Sequence, residues 1–239
     1  MRQIRDRVIV VSGAAGGMGR AIVAMLAGEG ARLALADANE EGLRQVEQSA
    51  RESGAQVLSG VADVRDEAQV QAFFARVKET YGHADVLINL PGLSRAAKVE
   101  QMSLADYDLI LDVNLQGTFL CSKHFIALVD AARGGQIVNT ASMAARRANA
   151  NAPVYCAAKA AVAMFSEGLA LQVKEKNIRV STLYPGPTDT VGFWGNRPVP
   201  RETFMRPENV AEVVRFILSL PPHVVVHDVA FESFDYYKR

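Results

Sequence analysis

Val8-Ile-Val-Val-Ser-Gly-Ala-Ala-Gly-Gly-Met-Gly19 runs an apolar strand-like segment into a turn holding Gly13, Gly16, Gly17 and Gly19, and then into the apolar stretch Ala21–Leu26. Strand, tight turn and helix in that order make a phosphate-cradling unit. Glycine removes the side chain where backbone must meet a pyrophosphate, and a helix N-terminus offers unpaired N–H groups and the positive end of its dipole. Gly13, Gly17, Met18 and Gly19 are the expected contacts. The spacing is Gly-x-x-x-Gly-x-Gly, so the flanking strand and helix carry the reading more than the glycines do.

Outward from this unit, short apolar segments alternate with longer amphipathic ones. Val8–Val11, Arg32–Ala36, Val57–Val61, Val86–Asn89, Gln136–Thr140, Arg179–Tyr184 and Val224–Phe231 read as strands with helical patterns between them. That alternation predicts an α/β fold of one domain over residues 1–239: a doubly wound parallel sheet of about seven strands with helices on both faces. Asn39 is placed to cap a helix over Glu40–Ser53, and Ser103 to cap one running from Leu104 towards Ala131. A further helix starts near Pro153. Its run of Ala157, Ala158, Ala160, Ala161 and Ala163 permits close approach of another helix, which makes a homo-oligomer, dimer or tetramer, the expected assembly.

Asp37 closes the second strand, where a carboxylate can accept hydrogen bonds from both hydroxyls of an adenosine ribose and repel a 2′-phosphate. NAD is therefore expected over NADP, in keeping with the absence of Arg or Lys between Gly13 and Gly19. Farther on, Ser142 precedes Tyr155 and Lys159, the last two being one helical turn apart on one face. An ammonium there can favour the ionised phenol. Bringing a group with an ordinary pKa of about 10 into the neutral range takes roughly 3–4 kcal/mol of anion stabilisation.

Composition narrows the field. Lys plus Arg and Asp plus Glu both total 26, so no electrostatic footprint for nucleic acid or an anionic membrane exists. Uninterrupted apolar runs fall short of the ~20 residues of a membrane span, and the N-terminus has no signal-peptide pattern, so a cytoplasmic location is expected. Cys121 and Cys156 do not make a disulfide framework, and His83, His124, His223 and His227 form no metal-ligand pattern; no metal is expected.

These motifs together resemble the short-chain dehydrogenase/reductase family, over nearly the whole chain from Val8 to about Val229. The resemblance implies that Asp63-Val64 borders an adenine pocket and that Asn114, in Val113-Asn-Leu-Gln-Gly-Thr-Phe119, is the family's active-site Asn. It implies that Ser142, Tyr155 and Lys159 are its Ser and its Tyr-x-x-x-Lys, with Tyr155 and Lys159 also facing the cofactor. Pro185-Gly-Pro-Thr-Asp-Thr190, with Pro185, Gly186, Thr188 and Thr190, is similar to the segment that meets a nicotinamide carboxamide. Two departures stand out. Asn89-Leu90-Pro91-Gly92 replaces the family's Asn-Asn-Ala-Gly, keeping Asn89 and Gly92 as cofactor-side residues, and the end of the chain lacks the Asp-Gly-Gly found in many relatives.

The implied activity is NAD-dependent interconversion of a secondary alcohol and a ketone, with Tyr155 as general base and acid. A 3-oxoacyl carrier-protein reductase and a non-catalytic NAD-sensing protein are the alternatives. Residues 191–206, rich in aromatics and proline, correspond to the family's substrate lid. Arg95, Lys98, Arg146, Arg147, Arg197, Arg201 and Arg206 cluster around the expected pocket mouth and suggest an anionic substrate.

Overall fold

The computed structural model describes residues 4–190, 192–195 and 197–238; Val191 and Asn196, within the expected lid, lie outside the described residues. Chain order runs β1 (Val8–Ser12), α1 (Gly17–Gly28), β2 (Arg32–Asp37), α2 (Glu40–Glu52), β3 (Gln56–Val61), α3 (Glu67–Tyr81) and β4 (Val86–Asn89). It continues with α4 (Leu104–Leu111), α5 (Gly117–Ile126), β5 (Gly135–Thr140), α6 (Pro153–Val173), β6 (Ile178–Pro185), α7 (Pro207–Ser219), β7 (Asp228–Phe231) and α8 (Phe234–Tyr237).

Among the described residues the strands form one parallel seven-stranded sheet in the order β3-β2-β1-β4-β5-β6-β7. Alternate residues of each strand face opposite sides, and both sides are apolar because both are covered. Ile9, Val11, Leu33, Leu35, Val86 and Ile88 pack with α1, α2 and α7. Val8, Val10, Ala34, Leu87, Ile137 and Val180 pack with α3, α5 and α6. Strand order reverses between β1 and β4, which pair with Ser12 opposite Asn89. A doubly wound sheet opens a crevice at such a point, beyond the carboxyl ends of its strands.

Expected boundaries hold closely except in two places. The segment from Leu104 is not one helix to Ala131: residues Asp112–Gln116 form a π-helical turn between α4 and α5, and α5 ends at Ile126. Asn114 sits in that turn, its Nδ2 donating to the carbonyls of Ile110 and Leu93, each at 2.8 Å. The last strand begins at Asp228 and not at Val224, because the Arg179 guanidinium donates to the carbonyls of Pro221 and Val224 and holds that stretch in a turn.

Among the described residues, the helix over Pro153–Lys176 has the length and apolarity that could cross a membrane, more than the uninterrupted apolar runs suggest. Its inner side packs on the sheet through Leu169 and Val173, and it buries Lys159 and Ser166. The outer side is open, with Met164 and Leu171 each 68% exposed.

Candidate active site

The expected cofactor residues lie at or just beyond the carboxyl ends of strands, or on the opening turns of α1 and α6. The turn after β1 folds back on itself, with the amides of Gly13 and Ala14 donating to the Ala36 carbonyl. Gly13 has φ 75°, in the region glycine favours, and a Cβ there would press on the backbone of Leu90 and Pro91 at 3.2 Å. A Cβ on Gly17 would lie 2.7 Å from Thr190 Cβ, so the turn and the segment after β6 close on one another around backbone alone. No side chain caps α1, which leaves the N–H groups near Gly17 and Met18 to an outside acceptor; Gly19 packs on the Gly13 and Ala14 carbonyls.

Asp37 is half-buried and fixed: Oδ2 accepts from the Ala15 amide at 2.8 Å and Oδ1 from the Asn39 amide at 2.9 Å. Each oxygen keeps a lone pair for a further donor. Asn39, not Asp37, caps α2, accepting from the Gly42 amide. The Asp63 carboxylate is gripped by the Arg65 guanidinium, which holds it below the usual carboxylate range. Val64 packs on Gly117 at the start of α5.

Asn89 is turned into the sheet. It accepts from Ser12 Oγ at 2.8 Å and donates to Asn139 Oδ1 at 2.9 Å, while Asn139 donates to Ser166 Oγ on α6. Asn89 thereby ties β1 to β5, and through Asn139 to α6. This chain of buried amides and hydroxyls was not expected from sequence. Its only signal there is polar residues interrupting apolar strands, and the partners come from four different elements.

Ser142 follows β5, and its Oγ accepts from the Ala144 amide at 3.1 Å. Tyr155 and Lys159 stand on the first turns of α6. Burial pushes the Tyr155 phenol up to about 12, opposed in part by a hydrogen bond with Ser142 and by the positive charge of Arg197. Burial likewise drives Lys159 down to about 7. Its Nζ donates to the Thr140 carbonyl at 2.8 Å, stands near the Pro91 carbonyl, and lies 5.9 Å from the Tyr155 ring centroid. In the protein without a dinucleotide, burial therefore sets the direction of the phenol shift.

Among the described residues, Asn114 Oδ1 is a buried atom of this cleft with no hydrogen-bond partner. A Cβ on Gly92 would lie 3.6 Å from Lys159 Nζ and 3.8 Å from Asn114 Oδ1, so these groups border one small space. A buried oxygen without a partner, a buried amine and a glycine-walled turn fit a ligand rich in hydroxyls and phosphates.

Beside Tyr155 the described residues of the expected lid stack ring on ring: Phe193 meets Tyr155 edge-on at 5.9 Å, Trp194 meets Phe193 at 5.2 Å, and Phe204 links Trp194 to Tyr236. Trp194 Nε1 donates to the Thr188 carbonyl, anchoring the segment to the stretch after β6. Several of the basic residues are already matched: Arg95 with Asp106, Arg146 with Asp228, Arg147 with Glu232, and Arg201 with Asp189. Arg197 donates to the carbonyls of Phe193 and Trp194. Lys98 and Arg206 are exposed.

The sequence pattern of the short chain dehydrogenases matches residues 7–198. The chain belongs to that family. It is an oxidoreductase of the short-chain dehydrogenase type, and its seven-stranded fold is the family's. It is similar to the Bacillus subtilis oxidoreductase YxbG, 35% identical over 191 residues that cover 80% of this chain and 70% of that one. Among solved structures it is similar to an alcohol dehydrogenase of the archaeon Thermococcus sibiricus complexed with 5-hydroxy-NADP, at 28% identity and a TM-score of 0.89, covering 97% of this chain and 98% of the other. An NAD+-bound xylitol dehydrogenase is similar at 27% identity and a TM-score of 0.88, covering 97% and 100%. Against the family's Asn-Asn-Ala-Gly, Leu90 of this short-chain dehydrogenase is buried in the α1 side of the core and Pro91 offers its carbonyl to Lys159.

Proposed function

We propose that this chain is an NAD-dependent dehydrogenase that interconverts a secondary alcohol and a ketone. The observation that carries the reading is the convergence of Ser142, Tyr155, Lys159 and Asn114 on one cleft beside the glycine turn. Gly13, Gly17, Met18 and Gly19 hold the pyrophosphate, Asp37 the adenosine ribose, and Asp63 and Val64 the adenine edge. Pro185, Gly186, Thr188 and Thr190 flank the nicotinamide, and Asn89 and Gly92 shape the floor. Bound oxidised nicotinamide supplies the hydride acceptor.

Ser142 holds the substrate oxygen, and Tyr155 takes the hydroxyl proton as the carbinol C–H bond breaks; the reverse run protonates a carbonyl oxygen. Lys159 bonds the nicotinamide ribose and lends charge to the phenolate. Water held by Asn114 Oδ1 passes the proton outward from Lys159. Residues 191–206 act as a lid whose aromatic wall keeps bulk water from Tyr155. An anionic substrate would rely on Lys98 or Arg206, since carboxylates or backbone carbonyls already engage the other basic residues.

The test is a screen of purified protein with NAD and NADP separately, against alcohols and ketones grouped by size and charge. Turnover with NAD supports the reading, and binding without turnover on any of them would sink it. Asp37 sets the cofactor through the charge it turns towards the ribose. Asp37→Ser is expected to raise the preference for NADP over NAD by about a hundredfold, because like charges brought together cost several kcal/mol. Parallel KM determinations for the two cofactors check it, and an unchanged ratio would remove Asp37 from that role.

We further propose a cytoplasmic homo-oligomer built on α5 and α6. Phe119, 44% exposed, and Phe165 flank a hollow with Leu111 and Leu115, and Met164, next to Phe165 in sequence, is exposed. A second copy would cover this face through an isologous contact. Met164→Glu places a charge on the exposed side of α6 and is expected to halve the mass seen by light scattering without lowering helicity. A single mass for both proteins would locate the contact elsewhere.

A further inference from the structure

The geometry points to Glu232, just after β7, as a positioning residue that holds the Ser142 loop in register with the nicotinamide segment. The inference rests on the dehydrogenase reading above. It begins from the chain end that departs from Asp-Gly-Gly.

After Ser142 the chain makes one 3-10 turn, Met143–Ala145, closed by the Arg146 and Arg147 amides on the Met143 carbonyl, and then runs exposed to α6. So short a turn has little stability of its own. Two side chains fasten it across the cleft. Arg146 lies over the Tyr184 ring at 3.8 Å and bonds Asp228 at 2.7 Å, while Arg147 bonds Glu232 at 2.5 Å.

Exposure separates the two pairs. Arg146 and Asp228 are 42% and 48% exposed, the range in which ion pairs contribute little. The Glu232 side chain is only 12% exposed, so its carboxylate depends on Arg147 for what water does not supply. Glu232 also lies flat on Gly186: a Cβ at Gly186 would be 2.4 Å from Glu232 Cβ, and the Gly186 amide bonds the Phe231 carbonyl at 2.8 Å. One side chain thus touches the nicotinamide segment through its stem and the Ser142 loop through its carboxylate. Misplacing a reacting group by about 1 Å can cost a hundredfold in rate, so a loose turn would be felt in kcat.

The experiment uses the full chain carrying Glu232→Gln, Arg147→Ala, or the exchanged pair R147E/E232R. Hydrogen exchange of the 143–147 amides in the protein without substrate is expected to quicken about tenfold in both single variants. Arg147→Ala should have the larger effect, since it strands the more buried partner. In turnover, kcat is expected to fall about 10–100-fold with NAD affinity within about threefold, and the exchanged pair should regain most of both losses. Unchanged exchange and kcat in Arg147→Ala, whose exposed position makes misfolding no explanation, would overturn the assignment. So would a loss confined to NAD affinity, which would place the effect at Gly186. If the unsubstituted protein turns over no alcohol or ketone, the dehydrogenase reading fails, while the exchange arm still decides whether the latch exists.

Discussion

Tyr155→Phe is expected to lower kcat by about a thousandfold or more while leaving NAD affinity within about twofold. The phenol oxygen is the atom proposed to carry the proton, and a positioned acid or base contributes roughly 10²–10⁴ in rate. Phenylalanine keeps the ring that Phe193 meets edge-on at 5.9 Å, so the lid contact survives and only the hydroxyl is lost. The hydrogen bond with Ser142 disappears as well, but Ser142 Oγ retains the Ala144 amide as a partner and its loop stays formed. Steady-state kinetics together with dinucleotide titration separate the two effects. A variant that kept more than a tenth of the parent kcat would remove Tyr155 as the proton carrier.

Without a dinucleotide, burial pushes the Tyr155 phenol up to about 12 despite Ser142 and Arg197. A base that works at neutral pH then needs positive charge beyond what these protein atoms deliver. Oxidised nicotinamide carries such a charge. Ultraviolet difference titration of the tyrosinate should therefore show a pKa lower with bound NAD than without, and a difference that vanishes in Tyr155→Phe. Equal titration with and without NAD would leave the activation of Tyr155 unexplained.

Sequence carried the fold far because both periodicities were clean. Fully apolar segments such as Val8–Val11 and Val86–Ile88 read as strands covered on both faces, and they are. Asn114 shows where local reasoning stops. Helix propensity ran straight through Asp112–Gln116, whereas the Asn114 side chain bonding to Leu93, an element away in sequence, accompanies a π-turn there. The same limit applies to β7. Its shortening follows from Arg179 reaching Pro221 and Val224, contacts made only once β6 is in place.

Site residues were legible as motifs, while their electrostatics were not. Tyr155 and Lys159 are one turn apart as the spacing requires, yet whether charge or burial governs them depends on what the sheet and lid bring alongside. Basic residues tell the same story. In the segments expected around the pocket mouth they form a local excess, and in the fold Asp228 and Glu232, from the last dozen residues of the chain, meet Arg146 and Arg147.

Lys159→Met is the second large effect, and it acts on turnover and stability in opposite directions. Removing the ammonium is expected to lower kcat by about a hundredfold or more, since electrostatic stabilisation of the phenolate goes with it. Stability changes by linkage. Burial holds the folded lysine down to about 7 against an ordinary value of 10.5. Between those values the unfolded chain binds a proton that the folded chain does not, so the contribution of Lys159 to stability grows as pH rises from 7 and is lost as pH falls back towards 7. Methionine is insensitive to pH in the same place.

The cofactor-free variant should therefore melt higher than the parent near pH 7, by about 5–10 °C if a few kcal/mol are relieved, and the gap should narrow as pH approaches 10. Keeping below pH 10 avoids Tyr155, whose raised pKa makes it lower stability only above that point. Calorimetry of both proteins at pH 7, 8 and 9 measures the gap. Parallel melting curves across that range would mean that Lys159 is charged and well solvated in the folded chain. Its ammonium would then be available to Tyr155 without help from a bound dinucleotide.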